Sequence, residues 1–406
     1  MPSIVVVSSL FPSAAAPNAG IFIRERMFRV ARHTTLTVVS PQPWFPGQSL
    51  IRLFRQNYRL SGDRYEVVDG IEIFRPRFFA LPAIGRRYDS IMMALGLFLL
   101  IKKLKAQGKC EILDAHFAFP DGAAVSMIGR LLRLPVFITL RGTEPGHLRR
   151  AGIKGRLLKG LKCAAKIICV SQSLKDLMIS QGIDEDKLTV VGNGVDTEKF
   201  QALDKLHARH ELGISESASV LITVGGLVER KGFHRVMDVM PTLREEFPNL
   251  VYLVVGGASA EGDWSEYLKE LASDLGIADS VRFLGQLAPD QLSLPLSAAD
   301  VFVLSSRNEG WANVILESMA CGTPVIASDV GGNAEVVCAD ELGEIIPFDD
   351  RNALVSALRG ALSKTWNREA LIGYAKRNDW QYRVDKLLDQ FTLVRPAVGQ
   401  NLGKTT

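Results

Sequence analysis

Short apolar runs alternate with amphipathic stretches along almost the whole chain, and they do so in two successive sets. In the first set the runs are Ile4–Ser8, Thr35–Val39, Ile112–Ala115, Val136–Leu140 and Lys166–Val170. In the second they are Val220–Val224, Leu250–Val255, Val281–Leu284, Val301–Leu304, Pro324–Ala327 and Glu344–Pro347. A run that is apolar on both faces needs cover on both sides, which is the condition of a strand inside a parallel sheet. Helical stretches such as Arg24–Arg32, Ala123–Leu132, Phe233–Phe247 and Gln291–Ala299 lie between the runs and supply that cover. The pattern therefore predicts an α/β protein of two Rossmann-like domains, as a length of 406 residues also favours.

The two sets meet at Val191-Gly192-Asn193-Gly194-Val195-Asp196, where Asn-Gly reads as a turn. The expected organisation is a first domain over 1–195, a second over 196–378, a helix over 379–394 and a tail over 395–406 without periodicity. Charge divides along the same line. Through Val195 there are 28 Lys and Arg against 14 Asp and Glu, a net +14; from Asp196 onward there are 20 against 30, a net −10. A basic half joined to an acidic half suggests different partners for the two.

Five cysteines, odd in number and without a C-x-x-C pair, exclude a disulfide framework and a structural zinc site as expectations and point to a reducing compartment. The start Met1-Pro2-Ser3-Ile4-Val5-Val6-Val7 has no basic n-region, so no signal peptide is expected and the location reads as cytoplasmic. The most membrane-like stretch, Ile91–Ile101, is far shorter than the ~20 residues of a spanning helix.

Chemistry concentrates in Ser305-Ser306-Arg307-Asn308-Glu309-Gly310-Trp311-Ala312-Asn313-Val314-Ile315-Leu316-Glu317-Ser318-Met319-Ala320-Cys321-Gly322-Thr323-Pro324. This reads as strand, polar turn, helix over Trp311–Ala320, glycine stop and strand. It puts Glu309 in the loop before the helix and Glu317 within it, with Val314, Ile315 and Met319 on the buried face. Carboxylates at the carboxyl edge of a parallel sheet suit sugar hydroxyls and ribose diols, from which they accept strong hydrogen bonds. A second loop, Gly225-Gly226-Leu227-Val228-Glu229-Arg230-Lys231-Gly232, follows a strand and opens a helix. Glycines admit a phosphate close to the backbone, and Arg230 and Lys231 add positive charge, which suits a diphosphate. This glycine loop has neither the Walker nor the G-x-G-x-x-G spacing.

His116 ends one strand and Arg141-Gly142-Thr143-Glu144 ends another, and Arg141 either pairs with Glu144 or binds an anion. The loop Pro12–Gly20 after the first strand either closes over a ligand or merely connects. Gly-x-Ser-x-Gly, H-E-x-x-H and clustered histidines are absent from the sequence, which argues against serine hydrolases and zinc enzymes.

Taken in order, these residues resemble the retaining family-4 glycosyltransferases of the GT-B fold. The most specific match is the E-x(7)-E motif Glu309–Glu317, followed by Val330-Gly331-Gly332-Asn333-Ala334-Glu335. Supporting matches are Asn193-Gly194-Val195-Asp196 with Phe200, Lys231-Gly232, Phe283-Leu284-Gly285, and His116 with Pro120-Asp121-Gly122. The resemblance implies two domains facing each other across a cleft, with the last helix packing back on the first domain. It implies transfer of a sugar from a nucleotide diphosphate sugar, UDP- or GDP-linked, to a hydroxyl of a glycan or lipid-linked acceptor in polysaccharide or glycolipid synthesis. No cofactor, metal or nucleic acid is expected.

The roles implied are specific. Glu317 would bind the ribose and Glu309 the donor sugar, while Lys231 and Arg230 hold the diphosphate beside Gly225 and Gly226. The backbone from Gly310 to Asn313 would lie along sugar and phosphates, and the loop after Gly285 would meet the base. His116, Gly20 and Arg141 would approach from the first domain. Two departures stand out: relatives read Gly-Arg-Leu where this chain has Gly225-Gly226-Leu227, and often His-Gly-x-Asp where it has Arg141-Gly142-Thr143-Glu144. Either Arg230 or Arg141 would replace the missing phosphate-loop arginine.

Lys102, Lys103, Lys105 and Lys109, with seven basic residues and no acid over Arg149–Lys166, suggest docking on an anionic membrane surface, or simply a solvated edge. The alternatives to a transferase are a sugar-nucleotide epimerase of the same fold and a non-catalytic partner protein.

Overall fold

The computed structural model describes residues 1–17, 19–54, 62–81, 85–259 and 261–394. The expectation of an aperiodic tail over 395–406 lies outside the described residues. The chain divides into two compact units, one of Met1–Asn193 with the segment from Arg383 onward, the other Gly194–Tyr382.

The first unit carries strands β1 (Ile4–Val7), β2 (Leu36–Val39), β3 (Gln42–Trp44), β4 (Tyr65–Val68), β5 (Ile71–Phe74), β6 (Arg77–Phe79), β7 (Ile112–His116), β8 (Val136–Leu140), β9 (Lys166–Cys169) and β10 (Leu188–Val190). Eight of them form one sheet in the order β10-β9-β8-β7-β1-β2-β5-β4, parallel except for β4 against β5. The strands β1, β7 and β8 are buried along their whole length, as apolar runs on both faces require. One face is covered by Ile23, Met27 and Val30 of the helix Ile21–Ala31 and by Val384, Leu387, Leu388 and Phe391 of the helix Trp380–Leu393. Phe391 sets its ring 4.8 Å from that of Phe137. Burying a side chain of that size contributes roughly 1.5–3 kcal/mol.

The second unit holds β11 (Ser219–Val224), β12 (Leu250–Val255), β13 (Val281–Gly285), β14 (Val301–Leu304), β15 (Val325–Ser328) and β16 (Gly343–Ile346). All pair in parallel in the order β13-β12-β11-β14-β15-β16. That is the 3-2-1-4-5-6 order of a doubly wound sheet. Val220 and Ile222 of β11 face one apolar cluster while Leu221 faces another, so the two layers of helices are anchored by alternate residues of one strand.

The structure differs from the sequence reading at the start and buried face of one helix and in the outer strands. The helix expected from Trp311 begins at Asn313, because Ala312 holds extended backbone at φ −84° and ψ 95°. Its buried face is Ile315, Leu316 and Met319, with Val314 only partly covered. The edge strand β10, the hairpin β4–β5 and the two-stranded ladder β3–β6 are additions to the strands read from the sequence.

Candidate functional site

Strands β11 and β14 are neighbours from which the chain departs in opposite directions, making their carboxyl ends the topological switch point of the second unit. Ligands of open α/β sheets bind outside the strand ends at such points. The loop after β11 carries Gly225, Gly226, Arg230 and Lys231; the loop after β14 carries Glu309 and Gly310. They meet there. Lys231 Nζ lies 2.8 Å from Glu309 Oε1, with side chains 16 % and 9 % exposed, and Arg230 Nη1 lies 3.4 Å from the same oxygen. A salt bridge this shielded feels a lower dielectric than a surface pair and is screened less by salt.

Close backbone packing fixes the pair. Gly232, at φ +76°, opens the helix Phe233–Arg244, and a Cβ there would fall 1.9 Å from the Ser305 carbonyl oxygen. Gly331, at φ +59°, leaves the same 1.9 Å to the carbonyl oxygen of Glu309. Arg307 N donates to Arg230 O at 2.8 Å, which ties the two loops backbone to backbone. Beneath them Ser328 Oγ donates to Ser306 O at 2.6 Å, and Asn333 Nδ2 donates to Ser328 O at 3.0 Å.

The other expected residues of this unit fall around the same edge. Asn313 is the first residue of the helix Asn313–Ala320 and Glu317 lies one turn along it; both are half-buried. Gly225 packs on the Lys231 side chain, and Gly226 faces Ser259 of the loop after β12. The start of the helix Phe233–Arg244 directly behind Lys231 gives this corner the polarity that attracts anions. Among the described residues, no group of three or more His, Cys, Asp or Glu side chains is gathered as a metal-ligand set.

The first unit places His116 and Arg141 at the ends of β7 and β8, and both are buried. Arg141 Nη2 lies 2.8 Å from His116 Nδ1, and Nη1 donates to Asn193 Oδ1 at 2.7 Å. Because a guanidinium only donates, Nδ1 accepts and the imidazole proton sits on Nε2, which faces Asp114 Oδ2 at 3.3 Å. Arg141 does not pair with the carboxylate of Glu144, which accepts from the backbone N–H of Gly142 at 2.7 Å and of Ala118 at 3.4 Å. The Arg141 guanidinium also stands over the Phe22 ring at 5.1 Å, and Gly20 caps that helix at the end of the loop following β1. The loop begins at Ser9, whose N and Oγ both donate to Asp121 at 2.8 Å; burial pushes the Asp121 carboxyl up to about 7.

Burial holds the His116 imidazole down at about 4, against the pull of Asp114. With its folded pKa below the ordinary 6.5, the unfolded chain binds the proton first, so stability is lost as pH falls from 6.5 through about 4. Asp121, with its carboxyl raised to about 7, contributes in the opposite sense over the same range, so the His116 share is read as a difference: between about pH 7 and pH 5 the urea midpoint of His116→Gln is expected to gain on that of the wild-type protein. The same pH dependence in both proteins would exclude a contribution from His116.

Several residues of these networks were not singled out from the sequence. Arg26, fully buried, donates through Nη2 to Val191 O, Gly192 O and Asn193 Oδ1. Its signal was present: a charge set between Ile23, Met27 and Val30 on an apolar helix stripe. Glu261, which grips Arg230, follows Gly256 and Gly257 in a turn-rich stretch that marks a loop but names no partner.

Comparison with known proteins gives a consistent result. The family model described as "Glycosyl transferases group 1" matches residues 204–378, and "Glycosyltransferase Family 4" matches residues 53–199. TuaC of Bacillus subtilis, a glycosyltransferase assigned by name to teichuronic acid biosynthesis, is 26% identical over 342 residues, 81% of each chain. The D-inositol 3-phosphate glycosyltransferase of Stackebrandtia nassauensis is 37% identical over 217 residues, 51% of this chain and 49% of that one, so the match spans about half its length. Among solved structures, sucrose-phosphate synthase of Thermosynechococcus elongatus superposes with a TM-score of 0.76 at 18% identity, covering 97% of this chain and 99% of that one. HepE of Anabaena, solved with UDP-glucose, gives 0.71 at 19% identity over 96% and 99% of the two chains. At these identities the structural likeness speaks for the fold.

Proposed function

The chain belongs to the family-4 glycosyltransferases of the GT-B fold, and from that premise we propose that it moves a sugar from a nucleotide diphosphate donor to a hydroxyl of a glycan or lipid-linked acceptor, with retention. The observation that carries this reading is the shielded Lys231–Glu309 pair at the switch point, a cation and an acid side by side where the β11 and β14 loops meet. Lys231 and the helix start behind it would stabilise negative charge growing on the leaving diphosphate. Glu309 would accept from hydroxyls of the donor sugar, and Glu317 from the ribose. In the step itself the bond from anomeric carbon to diphosphate oxygen breaks. The acceptor oxygen bonds to that carbon on the same face, and its proton passes to a diphosphate oxygen. No metal ion is invoked in this scheme. Family membership favours transfer over the epimerase reading.

A thermal-shift screen against UDP-, GDP- and ADP-sugars tests the donor. One class should raise the melting temperature by mass action; no shift with any of them would remove the reading. On the donor so found, Glu317→Ala is expected to weaken nucleotide affinity about tenfold or more, the loss of a charge-assisted pair of hydrogen bonds. Unchanged affinity by calorimetry would end the ribose assignment.

The acceptor side is proposed to work at an anionic membrane surface. Leu95, Leu99 and Leu131 are 68 %, 75 % and 71 % exposed, and Lys102, Lys103, Arg130 and Arg133 lie exposed on and just beyond the same two helices, Asp89–Ala106 and Ala123–Leu132. Basic residues contribute about 1 kcal/mol each near such a surface. None of the described helices is long and apolar enough to cross a membrane. Full-length protein is expected to co-sediment with phosphatidylserine-containing liposomes at low salt and to be released by salt. If it stays in the supernatant, the membrane reading fails.

A further inference from the structure

Arg230 reads from the sequence as a diphosphate cation, yet its guanidinium is already engaged. Nε donates to Glu261 Oε2 at 2.9 Å and Nη2 to Glu261 Oε1 at 2.6 Å, a bidentate fork. Nη1 donates to Asn308 O at 2.9 Å and reaches Glu309 Oε1 at 3.4 Å. Four of the five N–H donors of a guanidinium are thus directed at protein acceptors. Those acceptors sit on two different loops, and Arg230 itself sits on a third.

We propose that Arg230 and Glu261 are positioning residues, a clamp that fixes the loop carrying Glu309 against the loop carrying Lys231, and that Lys231 is the side chain this loop offers to a diphosphate. The proposal rests on the donor reading above for the identity of that anion. Glu261 is itself held: Ser259 N donates to Gly262 O at 2.9 Å, Gly262 N to Ser259 O at 3.1 Å, and Glu261 N to Ser259 Oγ at 3.1 Å. The same Ser259 occupies the space beside Gly226, where an added Cβ would lie 3.0 Å from its own Cβ. A long side chain at 226 would therefore push on the turn that presents Glu261, so the glycine and the clamp are compatible where an arginine there would strain both.

The pair is 29 % and 52 % exposed, too wet for a large share of global stability, so the effect belongs to loop position. The hydrogen bond from Arg230 holds the Glu261 carboxyl below its usual range, so the fork is charged at neutral pH. Arginine-to-lysine separates the two roles, since lysine keeps a charge for a phosphate but cannot make the fork.

The test is hydrogen exchange on the full ligand-free chain, read in peptides covering Gly225–Gly232 and Ser305–Gly310. Glu261→Gln and Arg230→Lys are each expected to raise exchange there about tenfold, and the double variant no further than either single one. On the nucleotide sugar selected by the thermal-shift screen, each single variant should lower kcat about tenfold with donor KM within about threefold, and Glu261→Asp should restore part of the loss. Unchanged exchange, additive effects, or tighter donor binding in Glu261→Gln would overturn the clamp, the last by showing that Glu261 merely occupies a phosphate ligand. If the screen selects no nucleotide sugar, the donor reading falls while the exchange measurement still decides the clamp.

Discussion

Lys231→Gln is expected to leave the fold intact and to slow sugar transfer by about 10²–10³-fold, the usual effect of removing one aimed charge stabiliser from a site. The variant keeps most of the volume and hydrogen-bonding capacity of lysine but removes the charge next to Glu309, leaving that carboxylate with Arg230 at 3.4 Å. Since the leaving diphosphate gains charge in the transition state, most of the loss should appear in kcat. The control is Arg307→Gln, which removes one positive charge from the neighbouring loop at a side chain 55 % exposed and paired with Glu229. Its effect should be within about threefold, as expected for an exposed pair. Equal losses in the two variants would mean that the general field of this edge matters, and the role given to Lys231 would be wrong.

Arg26→Met is expected to have the largest effect on stability, about 3–5 kcal/mol, as when one partner of a buried charged network is removed. The methionine fills most of the space but donates nothing, so Val191 O, Gly192 O and Asn193 Oδ1 each lose a donor that reaches them at 2.8–3.1 Å. Asp114, fully buried, also loses a nearby positive charge. Removing both members of such a network is commonly milder than removing one, so adding Asp114→Asn should recover part of the loss. Urea unfolding of the full chain measures both; a change below about 1 kcal/mol in Arg26→Met would show that water or the backbone replaces the lost donors.

The strands were legible because burial on both faces writes itself as largely apolar sequence: β1, β12 and β14 are apolar throughout, and β8 and β11 are broken only by small hydroxyl residues. The β4–β5 hairpin has a legible signal of a different kind, in its turn. Its turn is Asp69-Gly70, with φ of +52° and +78°, the two-residue sequence that suits a tight hairpin. The β3–β6 ladder was not readable in the same way, since it pairs Gln42–Trp44 with a segment 35 residues on and neither run is uniformly apolar. Within the site, Lys231 and Glu309 stand 78 residues apart, and only the resemblance to a family suggested that they meet. The partners of Arg230 and of His116 were beyond reach. A guanidinium or an imidazole fits many acceptors, and which one it meets depends on where three separate loops arrive.

The first unit is interrupted in sequence. Its core needs Val384, Leu387, Leu388 and Phe391 beside Ile4, Val6 and Phe137, but Gly194–Tyr382 is made in between. At about 5–20 residues per second, synthesis of that insert takes roughly 10–40 s. During that time one face of the first sheet stands partly uncovered, with only the helix Ile21–Ala31 against it from this cluster, while the second unit, continuous in sequence, can close as soon as it emerges. Order of completion therefore runs against order of synthesis. A fragment ending near Asn193 would expose the apolar surface that Phe391 covers, whereas Gly194–Tyr382 is the piece that could be cut out whole.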